Sequence, residues 1–252
     1  PAAWQQKTQT GIKAWASMCE GILPASDDQA IPSDAQVIAA VNASVDANAV
    51  VVAAAGSLPS ELHKHWRAEQ IGGYHLEYGY SCMGYEICGG VGAKLACPDR
   101  EVVVMVGDGS YMMMNSDVAT AVSMGLQITI VVLDNAGFSC INRLQMATGG
   151  ANFNNLLKDT YHQGLAKIDF AGHARAMGAY AVHVDDIGGL KQAVKAARSR
   201  QGVSVVVIDT DPLACSPGGA YWEVEVPEVS AREEVVAKHQ EWVAKRMANR
   251  GY

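Results

Sequence analysis

The sequence has 252 residues, of which 49% are hydrophobic and 18% charged, a balance that lets one large α/β domain bury a substantial core. A formal charge of -7, with no run or stripe of Lys and Arg, gives no electrostatic case for nucleic acid. The longest apolar stretches, such as residues 49–55 and 128–133, fall far short of the ~20 residues that span a bilayer.

Trp4, Gln5, Gln6 and Lys7 interrupt any apolar signal core, so the expected address is cytoplasmic. Residues 4–20 read as a helix with Ile12, Trp15 and Cys19 along one side, and residues 26–33 as a polar, proline-containing connection. Ser33 or Asp34 caps the next helix, where Val37, Ile38, Val41 and Val45 recur at helical spacing. Residues 49–55 form the first buried strand, which ends at Gly56-Ser57. A short helix over 59–69 carries His63, His65 and Trp66. The two histidines are two positions apart and face different sides, which disfavours a shared metal and predicts solvent exposure.

Residues 72–79 are expected to form a loop. His75, Glu77, Tyr78 and the nearby Tyr80 have the polar tips and aromatic bodies of a site wall, with structural packing as the competing reading. Residues 84–97 read as a helix whose Gly89, Gly90, Gly92 and Ala93 permit close approach to a sheet.

The most informative stretch follows. Val102-Val103-Val104-Met105-Val106 has no polar alternation, the pattern of a strand buried on both faces, and it ends in Gly107-Asp108-Gly109-Ser110. A second such strand, residues 127–133, ends in Asp134-Asn135-Ala136-Gly137. In a strand-helix-strand unit the carboxyl ends of parallel neighbours share one sheet edge. Asp108 and Asn135 can therefore offer oxygens to one hard cation, with a backbone carbonyl such as that of Gly137 as a further ligand. Magnesium suits such a set because it takes few protein carboxylates and completes its octahedron with phosphate oxygens and water. Small residues at the turn let backbone N–H groups approach an anion, so a metal-bridged phosphate is the natural guest.

Between the two strands, residues 115–124 read as a helix, and Met112, Met113 and Met114 as gap-filling core side chains. Residues 137–159 lack periodicity and read as a long loop, functional or mobile, in which Asn142, Arg143 and Gln145 are candidates to hydrogen-bond a substrate, to serve an interface or to serve the loop's own backbone. Residues 169–177 (helix), 180–184 (strand), 187–200 (helix with Leu190, Val194 and Ala197 inward) and 203–208 (strand) complete an alternation that implies a doubly wound parallel sheet flanked by helices. From 216 onward an apolar-acidic strip containing Tyr221 and Trp222 leads to a helix over 232–249, and is expected to dock on another domain or partner. The expected division is a leading helix and connection at 1–34, a diphosphate-gripping domain at 35–215 and the docking segment at 216–252. The six cysteines, at 19, 82, 88, 97, 140 and 215, include no Cys-x-x-Cys. That argues against zinc or iron–sulfur ligation and predicts mostly reduced core residues.

Gly107-Asp108-Gly109, the interval 110–133, and Asp134-Asn135-Ala136-Gly137 resemble the signature of the thiamine-diphosphate-dependent decarboxylase and acetohydroxyacid synthase superfamily. Met83-Gly84-Tyr85-Glu86-Ile87 resembles its cofactor-propping segment. Within the superfamily, Tyr111, Asn115-Ser116, Gly137-Phe138, the run Cys140 through Gln145, Gly56-Ser57-Leu58-Pro59 and His75 through Ser81 resemble the cyclic-dione hydrolases of inositol catabolism. Asp134 departs from the superfamily's usual asparagine.

The resemblance implies the thiamine-diphosphate-binding fold and two cofactors, thiamine diphosphate and magnesium. Asp108, Asn135 and the Gly137 carbonyl would hold the metal. Gly56, Ser57, Gly107, Gly109 and Ser110 would contact diphosphate, with Phe138 nearby and Met83 supporting the bent cofactor. His75, Asn142, Arg143 and Gln145 would face the cyclic dione. It also implies a homo-oligomer, dimer or tetramer, and an activating glutamate on a pyrimidine-binding domain of the same or a neighbouring chain, with this sequence as a fragment or subunit. An acetolactate-synthase-like carboligase or 2-oxo-acid decarboxylase, and a cofactor-binding module inactive without its missing half, are the alternatives.

Overall fold

A computed structural model describes residues 2–24, 31–165, 167–217 and 224–249. The chain divides into two compact units, Pro1–Asn135 with Ile168–Ser216, and Ala136–Lys167 with Pro217–Tyr252.

The first unit is built on a six-stranded sheet. Its strands are β1 (Val50–Ala53), β2 (Tyr74–Leu76), β3 (Val102–Gly107), β4 (Ile128–Asp134), β5 (Tyr180–Val184) and β6 (Val203–Asp209), in the spatial order β2-β1-β3-β4-β6-β5 with every pair parallel. Strands β3 and β4 are buried along all but their last residue, as expected of apolar runs without alternation. Alternate side chains feed two cores. On one face Val104, Val106, Ile130 and Val132 pack with Ile87, Tyr111 and Phe170. On the other, Val103, Met105, Val131 and Leu133 pack with Val37, Leu62, Leu190 and Val194. The helices responsible are α2 (Asp34–Asn42), α3 (Ser57–His65) and α9 (Ile187–Ser199) on the second face, and α4 (Tyr85–Ala96) and α8 (Phe170–Ala176) on the first. This is a doubly wound α/β sheet. The chain runs outward from β1 to β2 and returns to β3 on its other side, so the winding switches between β1 and β3, where ligands enter such sheets at the carboxyl ends.

Several local expectations change. Residues 74–76 pair with β1 as an edge strand instead of forming a loop, because the partner strand supplies the ladder that three residues cannot specify alone. Asp108 begins a helix, α5 (Asp108–Met113), ahead of the shorter α6 (Asp117–Ser123), and Met112, Met113 and Met114 are about half exposed rather than core. In α1 (Ala2–Ile22) Cys19 is buried but Ile12 is exposed. Cys19 is also the sole buried cysteine; all six are free thiols. His63 is exposed as expected, whereas His65 is buried, because it turns into a polar cluster with Glu61 and Ser216. Gly90 lies directly against Val104, and a Cβ there would overlap that side chain, whereas Gly92 has open space beside it and contributes no close packing. Ser33 caps α2 in a reciprocal capping box with Gln36.

Among the described residues, the second unit holds two α-helices, α7 (Ser139–Ala147) and α10 (Glu233–Asn249), and a single 3-10 turn at Leu157–Asp159, so the 137–159 segment is not the irregular loop expected. An antiparallel bridge joins Gly137 to Leu156. Gly149, at φ +85°, lies against the backbone of α10, and a Cβ there would stand 2.6 Å from the Glu234 carbonyl oxygen. Tyr221 and Trp222 lie outside the described residues. Among the described residues, no helix is long and apolar enough to cross a membrane.

Candidate functional site

Three strand ends build the site in the first unit. After β1 the chain turns at Gly56, whose φ of +118° favours glycine and whose missing Cβ leaves open space. Helix α3 starts at the next residue without a side-chain cap, and a helix N-terminus of this kind favours a nearby anion. The Ser57 hydroxyl is buried and donates to Asp34 Oδ2 at 3.2 Å, with Asp34 in the first turn of α2.

At the end of β3, Gly107 again has open space where a Cβ would stand, and Asp108 is buried directly after it. The Ser110 hydroxyl donates to Glu86 Oε1 at 2.6 Å and accepts the Gly84 N–H at 2.7 Å. Gly84 sits at φ +95°, and a Cβ would lie 2.8 Å from Met114 Cγ, so glycine is required on two counts. The half-buried Met83 immediately precedes it.

At the end of β4, Asn135 is buried and its Oδ1 has no hydrogen-bond partner. Gly107 is in register with Leu133, which puts Asp108 and Asn135 at neighbouring strand ends roughly 4.8 Å apart in the sheet direction. A buried amide oxygen left unpaired costs about 1–3 kcal/mol. An oxygen-seeking cation beside Asp108 would remove that penalty, so the donor set fits magnesium in chemistry and placement. Asp134, the departure from the superfamily pattern, stands in register with Asp209, which pairs with His183 Nε2 at 2.9 Å.

The other expected residues are placed as follows. Exposed His75 is hydrogen-bonded through Nε2 to Tyr85 Oη at 2.6 Å and stacked on that ring. In the second unit Gly137 has φ +147°, and a Cβ would run into the Asn155 carbonyl; the Phe138 N–H donates to that same oxygen at 2.7 Å. Asn142 is fully buried with neither amide atom paired, and Arg143 is half-buried. Gln145 spends both ends of its amide on its own loop, donating to the Ala151 carbonyl and accepting from Asn155 Nδ2 at 2.6 Å. That is the loop-serving one of its three expected roles. Sequence reasoning missed Glu86 as a site component and saw Asp34 only as a cap. The available signal was a carboxylate embedded in an otherwise apolar, glycine-rich helix start.

The family model described as the thiamine pyrophosphate enzyme, C-terminal TPP binding domain, matches residues 54–208, which include all three strand ends. The chain belongs to this family. Among individual relatives, the 3D-(3,5/4)-trihydroxycyclohexane-1,2-dione hydrolase of Bacillus cereus (strain AH820) is 38% identical over 223 residues, covering 86% of this chain and 35% of that protein. A second such hydrolase, from another strain of Bacillus cereus, is 39% identical over the same length. The chain thus spans 35% of the length of these curated relatives. The thiamine diphosphate-dependent 4-hydroxybenzoylformate decarboxylase of Rhodococcus jostii RHA1 shares the fold, with a TM-score of 0.66 at 22% identity over 75% of this chain and 34% of that one.

Proposed function

We propose that this chain is the diphosphate-gripping part of a thiamine-diphosphate- and magnesium-dependent enzyme. Its reaction would be hydrolysis of a carbon–carbon bond in trihydroxycyclohexane-1,2-dione, giving 5-deoxy-glucuronate in myo-inositol catabolism. The carrying observation is the pairing of buried Asp108 with the unpartnered Oδ1 of Asn135 at adjacent strand ends beside the winding switch. The substrate class rests on relatives named for that activity at 38% and 39% identity.

In this reading Asp108 and Asn135 hold magnesium, and the backbone N–H groups around Gly56, Ser57, Gly109 and Ser110 hold the diphosphate. Met83 supports the cofactor from the start of α4. Bound thiamine diphosphate supplies an electron sink for carbon–carbon cleavage. The residues of this chain bind and orient it, and fix the cation that neutralises its phosphates against the acidic strand ends. Proton control at the cofactor ring is assigned to a pyrimidine-binding domain contributed by the remaining length of the enzyme or by a neighbouring copy.

Calorimetric titration of thiamine diphosphate into the 252-residue chain tests the binding half. Saturable heat with magnesium and none without it is expected, and equal behaviour with and without the metal overturns the site. For the reaction, the enzyme of full relative length should consume the cyclic dione and release an open-chain acid. Turnover of pyruvate in its place would reassign it as a carboligase or decarboxylase.

A further inference from the structure

Glu86 lies in the first turn of α4 and is 1% exposed, yet none of the chemistry above uses it. Both of its oxygens are committed. Oε1 accepts the Ser110 hydroxyl at 2.6 Å, and Oε2 accepts the Gly84 N–H at 2.9 Å. These two donors sit on different segments: Gly84 follows the cofactor-supporting Met83, and Ser110 lies in the first turn of α5, just past the end of β3. The Gly84 N–H is shared, reaching Ser110 Oγ at 2.7 Å as well, so three groups close a small hydrogen-bonded ring between the segments.

From this geometry we infer that Glu86 is a positioning residue for the cofactor, clamping the Met83–Gly84 turn to the start of α5 at Asp108–Ser110 so that the cofactor's support and its diphosphate cradle are held in one register. The inference rests on the cofactor reading given above. Bringing the segments together would need only an apolar side chain, which avoids the desolvation of a buried carboxylate. A two-oxygen acceptor does something an apolar residue cannot, because it fixes a hydroxyl and an N–H in angle as well as in distance. The ring also settles what Ser110 presents. With its hydroxyl proton given to Glu86 and a lone pair given to Gly84, Ser110 meets a diphosphate through its backbone N–H. Ser57 repeats the arrangement at β1, where its hydroxyl donates to the buried Asp34.

Burial pushes the Glu86 carboxyl up from its ordinary value, against the hydrogen bonds from Ser110, its own backbone N–H and Gly84. The hydrogen bonds therefore offset only part of the cost of burying this carboxyl, in a place where an apolar side chain would carry no such cost.

The test uses Glu86→Ala and Glu86→Gln in the 252-residue chain. Two readouts are taken: the thermal midpoint of the free protein, and the thiamine diphosphate dissociation constant at saturating magnesium. The alanine variant is expected to bind about 10-fold more weakly, as is usual when an outer-layer support is removed. The glutamine variant keeps an acceptor for Gly84 but turns an NH2 toward Ser110, and should fall between it and wild type. The glutamine variant should not melt below wild type, whereas the alanine variant strands the buried Ser110 hydroxyl and is expected to melt lower, so it is read for affinity at a temperature where it stays folded. Should the alanine variant fail to fold, the near-isosteric glutamine variant decides alone.

Wild-type affinity in the folded variants overturns this inference and leaves the cofactor site standing. A loss of affinity in the glutamine variant that follows a fall in its midpoint shows a structural role and also overturns it. A wild-type chain that takes no thiamine diphosphate with magnesium overturns the site reading and this inference together.

Discussion

Two buried glutamates of the first unit, equally hidden at 1% exposure, have opposite electrostatic fates. Glu61, on α3, has a cation within reach: Lys64 Nζ lies 3.0 Å from Oε1, while Oε2 takes the Ser216 N–H at 3.1 Å and faces His65 Nε2 at 3.5 Å. Burial pushes its carboxyl up, but hydrogen bonds from His65, Ser216 and Lys64, with the Lys64 charge, outweigh that and hold it at about 2. Glu86 receives only neutral donors from Ser110 and Gly84, and burial wins. The difference teaches that depth does not decide charge; the donors do. The Glu61 cluster reads as a brace for the fold, joining α3 to the end of the unit at Ser216. The Glu86 ring lies under the strand ends that the site uses.

The sharpest way to break this contrast is Asp108→Ala. Loss of the principal anionic ligand should abolish magnesium-dependent thiamine diphosphate heat in calorimetry while leaving the Glu61 brace intact; retained binding would remove the cofactor reading of the strand ends. Glu61→Gln should do the reverse. It leaves Lys64 without its buried counter-charge and is expected to cost about 3 kcal/mol in urea unfolding. A loss under about 1 kcal/mol would mean that the cluster is not a brace.

The pH dependence sharpens the same point. The folded Glu61 carboxyl titrates at about 2 against an ordinary 4.5, so its contribution is full above 4.5 and is lost as pH falls through about 2. That amounts to about 3 kcal/mol, and Glu61→Gln should flatten acid unfolding across the same window. Gly84→Ala tests the other region. A left-handed φ of +95° and the approach of Met114 should together lower stability by about 2 kcal/mol in the free protein.

Smallest of all is the stability effect of Glu86→Gln, and its sign is reversed. A carboxyl whose folded value is raised stabilises only below its unfolded value, and that stability fades as pH rises through the folded value. Near neutrality, removing the charge should leave the urea midpoint unchanged or slightly higher. A clear fall would place Glu86 in the same class as Glu61.

The central strands were legible because a parallel sheet covered on both faces demands continuous branched apolar residues, and Val102-Val103-Val104-Met105-Val106 has no other stable use. The pair Asp108 and Asn135 was legible from the turn residues that follow two such runs. His65, the three methionines at 112–114 and the edge strand β2 were not. For two of these the outcome depended on a neighbour distant in sequence: Ser216 for His65, and β1 for residues 74–76. Glu86 was hidden for the same reason, since its partner Ser110 lies 24 positions away.

By itself, then, the sequence determined the alternation of buried strands and amphipathic helices, the parallel sheet and the two oxygen-bearing strand ends, because hydrophobic period and turn chemistry are local properties of the chain. Only the tertiary structure decided which buried carboxylate meets a cation and which meets neutral donors, and that Asn135 keeps an oxygen unpaired. Those outcomes depend on donors that folding brings together, and no local pattern encodes which donors will meet.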